Sequence, residues 1–391
     1  MNCQRAKILF LAEEMAVNGA MKSLIALLEV LQGQGYDVSL FVSSHHGELH
    51  SQIPKYVKVL PENMAYCIVR LPLRVALRKA LVAFRIDLVV MRLMVAVARK
   101  FKLPFPCWFM LPRIKGYYDL VCAYADGFVA QMAVRKVLTS KRALWIHCDY
   151  TQYKQSRQTF DAFKKADVAV SVSLDSIEKF NIACGEPIST PFAVVHNIID
   201  VDEIRRKALA YSVPSCSEEI VKLVSVGRVT HQKGFDLAPE IARGVFANNI
   251  KLEWDVIGGA TEEAMTAHKK LVDKAGMNGI VRFLGEMENP MPYVAAADIV
   301  VIPSRFEGWG MTLSEALVLG KPVVATDLPV FREQVTNGVN GILVSLDAKE
   351  FAEAIIKLLK DEELRRRLSH EALKYPFTKD TVVKEFGELF S

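Results

Sequence analysis

Ile299-Val300-Val301-Ile302 is a run of four apolar, β-branched residues with no polar position among them. A strand with one wet face alternates apolar and polar residues. This run does not, so it reads as a strand buried on both faces, as in a parallel sheet covered by helices. Strand candidates, several of them short apolar runs, recur along the whole chain. In the first half they fall at residues 7–11, 36–42, 88–91, 107–110, 127–130, 143–146, 168–171 and 193–195. In the second half they fall at 222–226, 253–257, 281–284, 299–302, 322–325 and 341–344. Helix-period segments separate several of them, notably 20–32 and 73–85. Strands alternating with helices predict α/β doubly wound architecture.

The chain has 391 residues, 51% of them apolar. That length suits two domains, each large enough to bury a core without staples. The division falls near residue 198, where His196-Asn197-Ile198-Ile199-Asp200 ends a strand pattern and the polar stretch 212–219 precedes the next. In doubly wound sheets ligands sit at the carboxyl ends of the strands. Two facing sheets would place a site in the cleft between domains. Seven scattered cysteines, with no Cys-x-x-Cys pair, predict a reduced, cytoplasmic protein. The run 7–11 is followed at once by Glu13 and Glu14, so it reads as a first strand rather than a leader. No stretch of about 18 uncharged apolar residues suggests a spanning helix.

Net charge is +5, but residues 1–198 carry 25 Lys and Arg against 15 Asp and Glu. Between residues 70 and 102 nine basic residues face only Asp87. Three readings remain open: a solvated helix face, an anionic membrane surface, and nucleic acid. The last lacks aromatic interleaving and a recognition motif, so no nucleic-acid partner is expected.

Two segments carry the chemistry. In Ser304-Arg305-Phe306-Glu307-Gly308-Trp309-Gly310-Met311-Thr312-Leu313-Ser314-Glu315 a buried strand gives way to a glycine-bearing loop and then a helix over 312–319. Gly308 and Gly310 allow close backbone approach. The new helix start offers N–H groups and partial positive charge to a phosphate. Glu307 and Glu315 would repel phosphate, so sugar or ribose hydroxyls are their natural partners. Thr312-x-x-Glu315 is also a capping-box pattern, which would make Glu315 structural. In Gly227-Arg228-Val229-Thr230-His231-Gln232-Lys233-Gly234 two cations follow another strand end and suit a diphosphate. It is not a Walker loop. Solvated loop cations are the plainer alternative.

Together these segments resemble the retaining family 4 glycosyltransferases (glycosyl transferases group 1) of the GT-B fold. Gly320-Lys321-Pro322-Val323-Val324-Ala325, Ala297-Asp298 and Asn337-Gly338-x-x-Gly341 add to the likeness. It covers most of residues 193–375. The first half is similar more loosely, through Asn18-Gly19-Ala20, Trp145-Ile146-His147-Cys148-Asp149, and Asn197 with Asp200. Cys148 intervenes where the family's histidine is usually followed by aspartate.

The resemblance implies two Rossmann-like domains. Residues 1–198, with a crossover helix at 377–391, would bind acceptor; residues 199–376 would bind the nucleotide sugar. It implies that Arg228 and Lys233 hold the donor diphosphate beside Gly227, helped by Gly308 and by backbone N–H groups of Gly310, Met311, Thr312 and Leu313. Glu315 would bind ribose and Glu307 the transferred sugar. Gly19 would admit a phosphate or acceptor, and His147 would contact sugar or acceptor. The catalytic set is therefore His147, Glu307, Arg228 and Lys233. The expected reaction is retaining hexosyl transfer from a nucleotide-diphosphate sugar, by family habit a UDP-sugar. The acceptor would be a glycan or lipid-linked acceptor in cell-surface polysaccharide synthesis. No cofactor or metal is expected. Asp200-Val201-Asp202 sits before a helical pattern, where Asp202 reads as a cap. His45, His46, His231, His268 and Trp309 read as loop or surface residues. A nonhydrolysing UDP-sugar 2-epimerase and a non-catalytic GT-B-fold binding protein are the rival readings. A dinucleotide oxidoreductase fits least, since no Gly-x-Gly-x-x-Gly follows the first strand. The segment 70–102 is where a peripheral protein would touch the inner face of the plasma membrane.

Overall fold

The structure is a computed structural model that describes residues 5–16, 18–101, 103, 105–153, 156–213 and 219–390. Cys3, Cys216, Lys102 and most of the polar stretch 212–219 lie outside the described residues.

The chain divides into two compact units. The first takes the residues up to Ile198 and those from Val382 onward; the second runs from Ile199 to Thr381. Unit 1 holds β1 (Lys7–Glu14), β2 (Asp37–Ser44), β3 (Lys58–Val59), β4 (Tyr117–Ala123), β5 (Leu138–Ile146), β6 (Val168–Ser171) and β7 (Phe192–Val194). They form one sheet in the order β3-β2-β1-β4-β5-β6-β7, and every pairing is parallel. Unit 2 holds β8 (Val221–Val226), β9 (Leu252–Ile257), β10 (Val281–Gly285), β11 (Ile299–Ile302), β12 (Val323–Thr326) and β13 (Ile342–Val344). Their order is β10-β9-β8-β11-β12-β13, again all parallel.

Burial on both faces explains the unalternating strands. Leu9 and Leu11 of β1 join one core with Met91, Ala130 and Phe163. Phe10, between them, stacks on Phe386 at 6.0 Å on the other face. Phe386 belongs to the last helix, Lys379–Gly387, and also lies 6.5 Å from Trp145. Glu385 of the same helix accepts from the His196 backbone and pairs with its ring at 2.7 Å.

Three expected strands are not strands. Residues 88–91 lie inside the helix Ile86–Lys100, 127–130 inside the helix Gly127–Lys136, and 107–110 mostly in a short turn, Trp108–Met110. A run of four apolar residues cannot separate a buried strand from one turn of a buried helix. The strand that does form there is β4, whose Asp119 interrupts its apolar pattern and accepts from the Lys7 backbone at 2.7 Å. Capping also differs. Asp200, not Asp202, caps the helix Val201–Ala208, accepting from Glu203 N, and its other oxygen pairs with Lys379 at 2.9 Å.

Candidate functional site

In unit 2 the sheet grows outward in both directions from β8 and β11, so the crevice expected at a topological switch point opens beyond these two strand ends. The loops that follow them are residues 227–234 and 303–310, the two segments singled out by sequence.

Glycines fix the first loop. Gly227 has φ +151°, and a Cβ there would lie 3.0 Å from Lys233 Cε, so its bare backbone makes room for the lysine stem. A Cβ on Gly258 would lie 1.9 Å from the Gly227 oxygen, which keeps the neighbouring loop equally close. Gly234 has φ +68°, and a Cβ would stand 1.8 Å from Pro303 O. That close approach locks the two loops together. Arg305 N donates to Gln232 O at 2.7 Å, and its guanidinium donates to His231 O and both oxygens of Asp236. Burial pushes the Asp236 carboxyl up, but the Arg305 fork outweighs it and the net shift is downward.

The locked loops bring Lys233 and Glu307 together. Lys233 Nζ lies 2.6 Å from Glu307 Oε1, which also accepts from Ser304 Oγ at 2.8 Å. Gln232 Nε2 reaches the other oxygen at 3.4 Å and Phe306 O at 3.1 Å. Glu307 is only 6% exposed. Arg228 differs: it is exposed, and its side chain makes no ion pair or hydrogen bond among the described residues.

The second loop leads into the helix Met311–Val318. Gly310 is its N-cap with φ +89°, and a Cβ there would fall 2.4 Å from Phe331 Cε1. Thr312 lies inside the first turn and donates through Oγ1 to Val226 O at 3.2 Å. The capping-box alternative therefore does not hold at Thr312: a glycine occupies the cap, and Glu315 is a half-buried residue one turn on. The first-turn amides of Met311 and Thr312 belong to a helix start that lacks a side-chain cap. Leu313, expected among the phosphate-binding amides, is fully buried, and its N–H already donates to Gly310 O at 2.9 Å, so it is not one of the open amides.

Trp309 is not a surface residue. It is 2% exposed and packs edge-on against Phe377 at 5.0 Å. Its carbonyl accepts from Gln334 Nε2 at 2.6 Å. Gln334 Oε1 accepts from Ser314 Oγ at 2.6 Å, and Tyr375 OH donates to Ser314 at 2.8 Å. This buried network fixes the loop between Glu307 and Glu315. Sequence reading missed it, as it missed Arg305–Asp236, because each partner is remote in the chain. Several family-like motifs likewise build scaffold. Asp298 accepts from Lys222 N, Lys321 donates to Ala297 O, and Asn337 accepts from Leu343 N.

In unit 1 the switch point lies between β1 and β4. Gly19 opens the helix Gly19–Val30, and Asn18 caps it by accepting from Met21 N at 2.9 Å. Ser23 of that helix donates to Asn197 Oδ1 at 2.7 Å and meets Tyr124 OH at 3.0 Å. The Tyr124 ring lies 4.6 Å from the His147 ring. Both His147 nitrogens are shielded from solvent without a hydrogen-bonding side chain, and burial pulls the imidazole down to about 4. It is neutral near pH 7. Asp149 serves the fold: it accepts from Thr151 N and Oγ1, and pairs with Lys179 at 3.0 Å. Of the remaining histidines, His231 is exposed, while His45 and His268 are half-buried and bonded to Leu60 O and Ala264 O. Among the described residues no His, Cys, Asp and Glu cluster could hold a metal ion.

Two all-parallel Rossmann-like units, with glycine loops at their switch points, define the GT-B fold. Residues 214–375 match the family model described as Glycosyl transferases group 1. The chain is 33% identical over 176 residues to the lipopolysaccharide core biosynthesis glycosyltransferase LpsE of Rhizobium meliloti, covering 43% of this chain and 49% of LpsE. It is 36% identical over 143 residues to the mannosyltransferase LpsB of the same organism, covering 34% and 40%. The matches thus span about half or less of these relatives. Among solved structures, Anabaena HepE in complex with UDP and glucose aligns over 98% of both chains with TM-score 0.67 and 18% identity. Staphylococcus aureus TarM, in a complex that includes UDP, aligns over 99% of this chain and 100% of its own with TM-score 0.71 and 13% identity.

Proposed function

We propose that this protein is a retaining glycosyltransferase. It moves a hexosyl group from a nucleotide-diphosphate sugar, a UDP-sugar, to a glycan or lipid-linked acceptor in cell-surface polysaccharide synthesis. One observation carries the reading: Arg228, Lys233, Glu307 and the helix start at Met311 converge at the switch point of unit 2. Cations and helix N–H groups suit a diphosphate, and a buried carboxylate suits sugar hydroxyls. The family match over this segment and the UDP held by HepE and TarM support the donor class.

The chemistry follows from charge. As the bond from the sugar to the donor phosphate breaks, negative charge grows on the departing nucleotide, and Arg228 and Lys233 offset it. Gly227, Gly308 and Gly310 allow the approach, with amides of Met311 and Thr312 on the phosphates. Donor phosphate draws Lys233 from Glu307, which frees that carboxylate for the transferred sugar. Glu315 takes the ribose. His147 and Gly19 act on the sugar or acceptor side. No metal is needed where two cations face the diphosphate. Activity that survives EDTA agrees with this; loss restored by manganese overturns it. The protein works in the cytoplasm, against the inner face of the plasma membrane.

The test is donor binding and turnover across UDP-hexoses, with the anomer of the product read by NMR. Arg228→Ala should weaken donor binding, and Glu307→Gln should depress turnover more than binding. Normal binding and turnover in both variants sinks the assignment.

A further inference from the structure

The helix Ile86–Lys100 is apolar on two opposite faces. Leu88, Met91 and Val95 join the core of unit 1 at helical spacing, and Ala98 is buried on the same side. Ile86, Val90, Leu93 and Val97 repeat at the same spacing on the other side, and all are exposed. Phe101 extends that stripe just beyond the helix. Neither helix amphipathicity nor core packing accounts for a second apolar stripe. At its start the chain turns through Phe84, which is 92% exposed in a left-handed conformation with φ 54°. A bulky residue rarely adopts that conformation, and Phe84 adjoins the exposed Val82 and Ile86 in the chain rather than standing singly.

The neighbouring helix Leu73–Val82 packs beside it and buries Ala76 and Ala80 in the same core. Its outward face therefore turns to the same side. Arg74, Val75, Arg78, Lys79 and Val82 lie on that face, all exposed. Of the basic residues between 70 and 102, Arg70 pairs with Glu13 and Arg85 with Asp87. Arg92 and Arg99 donate to Leu71 O and Val69 O. Arg74, Arg78 and Lys79 make no ion pair or hydrogen bond among the described residues. Asp87, the only acid in the segment, is neutralised by Arg85.

We infer that this helical pair docks on an anionic lipid bilayer, with Phe84 and the stripe from Ile86 to Phe101 entering the interface and Arg74, Arg78 and Lys79 on the headgroups. The inference rests on the membrane reading above and makes it specific: attachment is by insertion of an apolar stripe, not by charge alone. Apolar area beside unpaired cations is the complement of an anionic lipid surface. Insertion is resistant to salt, whereas adsorption by charge is screened.

The experiment is flotation of the whole protein with phosphatidylglycerol–phosphatidylcholine vesicles at low and high salt. Wild type should float at low salt and keep a bound fraction at high salt. The variant Phe84→Asn, Ile86→Gln, Val90→Gln should lose the salt-resistant fraction, at least about tenfold. Asparagine tolerates the left-handed position, so a folded variant is expected, checked by thermal unfolding and by unchanged UDP-sugar binding. Replacing Arg74, Arg78 and Lys79 by glutamine should cost roughly a hundredfold in vesicle affinity. Complete release at high salt with no effect of the apolar variant overturns insertion and leaves the membrane reading standing. No flotation at low salt overturns both. Vesicle indifference together with a dimer that the apolar variant dissociates, in sedimentation velocity, makes the stripe a self-association face and also overturns the inference.

Discussion

Lys233 Nζ and Glu307 Oε1 lie 2.6 Å apart, although 74 residues separate them in the chain. Glu307 is buried, and Ser304 shares the same oxygen. The lysine therefore keeps a carboxylate tolerable inside the loop pair. Removing one partner of a buried pair leaves the other uncompensated, at about 3–5 kcal/mol. Lys233→Ala should lower the melting temperature clearly, while Glu307→Gln, which keeps an acceptor for Ser304, should lower it less. Equal melting of both variants and wild type would show that the pair contributes nothing to the fold.

Arg228 should behave oppositely. It is exposed and without an ion pair or side-chain hydrogen bond, so Arg228→Ala should leave thermal stability nearly unchanged. Donor affinity should fall by about 2–5 kcal/mol, as for truncating a desolvated charge contact. Calorimetric titration with a UDP-sugar beside a melting curve separates the two effects.

Gly234 and Gly310 are both left-handed, but an added methyl meets different neighbours. At Gly234 it strikes the Pro303 carbonyl, which is backbone; at Gly310 it strikes the edge of the Phe331 ring. Left-handed strain costs about 1–3 kcal/mol at either position. Gly234→Ala should therefore lose more stability than Gly310→Ala. Phe331→Leu should recover part of the loss at Gly310 and none at Gly234, read as melting temperatures of the single and paired variants.

His147 predicts a pH effect. Burial lowers its folded value to about 4, against 6.5 in the unfolded chain. Between these values the unfolded chain binds more protons, so its contribution is full above about pH 6.5. It is lost as pH falls toward about 4, at up to about 1.4 kcal/mol per unit. His147→Gln should flatten the melting-temperature profile over that window. An identical slope in both proteins counts against the buried neutral imidazole.

Much of unit 2 is legible because its strands are short, rich in apolar residues and mostly bounded by glycine. The run 299–302 matches β11 residue for residue. Unit 1 is less legible. Residues 88–91 and 127–130 are apolar enough for a buried strand, and four residues are too few to reveal a helical period. Glu315 shows the same limit from another side. Thr312-x-x-Glu315 satisfies a capping pattern, but Thr312 bonds Val226 O across to the neighbouring strand and Gly310 takes the cap.

The sequence by itself determined the parallel α/β class, the two glycine loops, and the residue types gathered in them, since these depend on local periodicity and on conformations only glycine adopts freely. The tertiary structure decided which of those residues touch. Strand order sets β8 beside β11, and that neighbourhood joins Lys233 to Glu307 and Arg305 to Asp236 while leaving Arg228 exposed. It also decided which face of the helix Ile86–Lys100 is buried, because a helix apolar on two sides carries no local signal of which one meets the core.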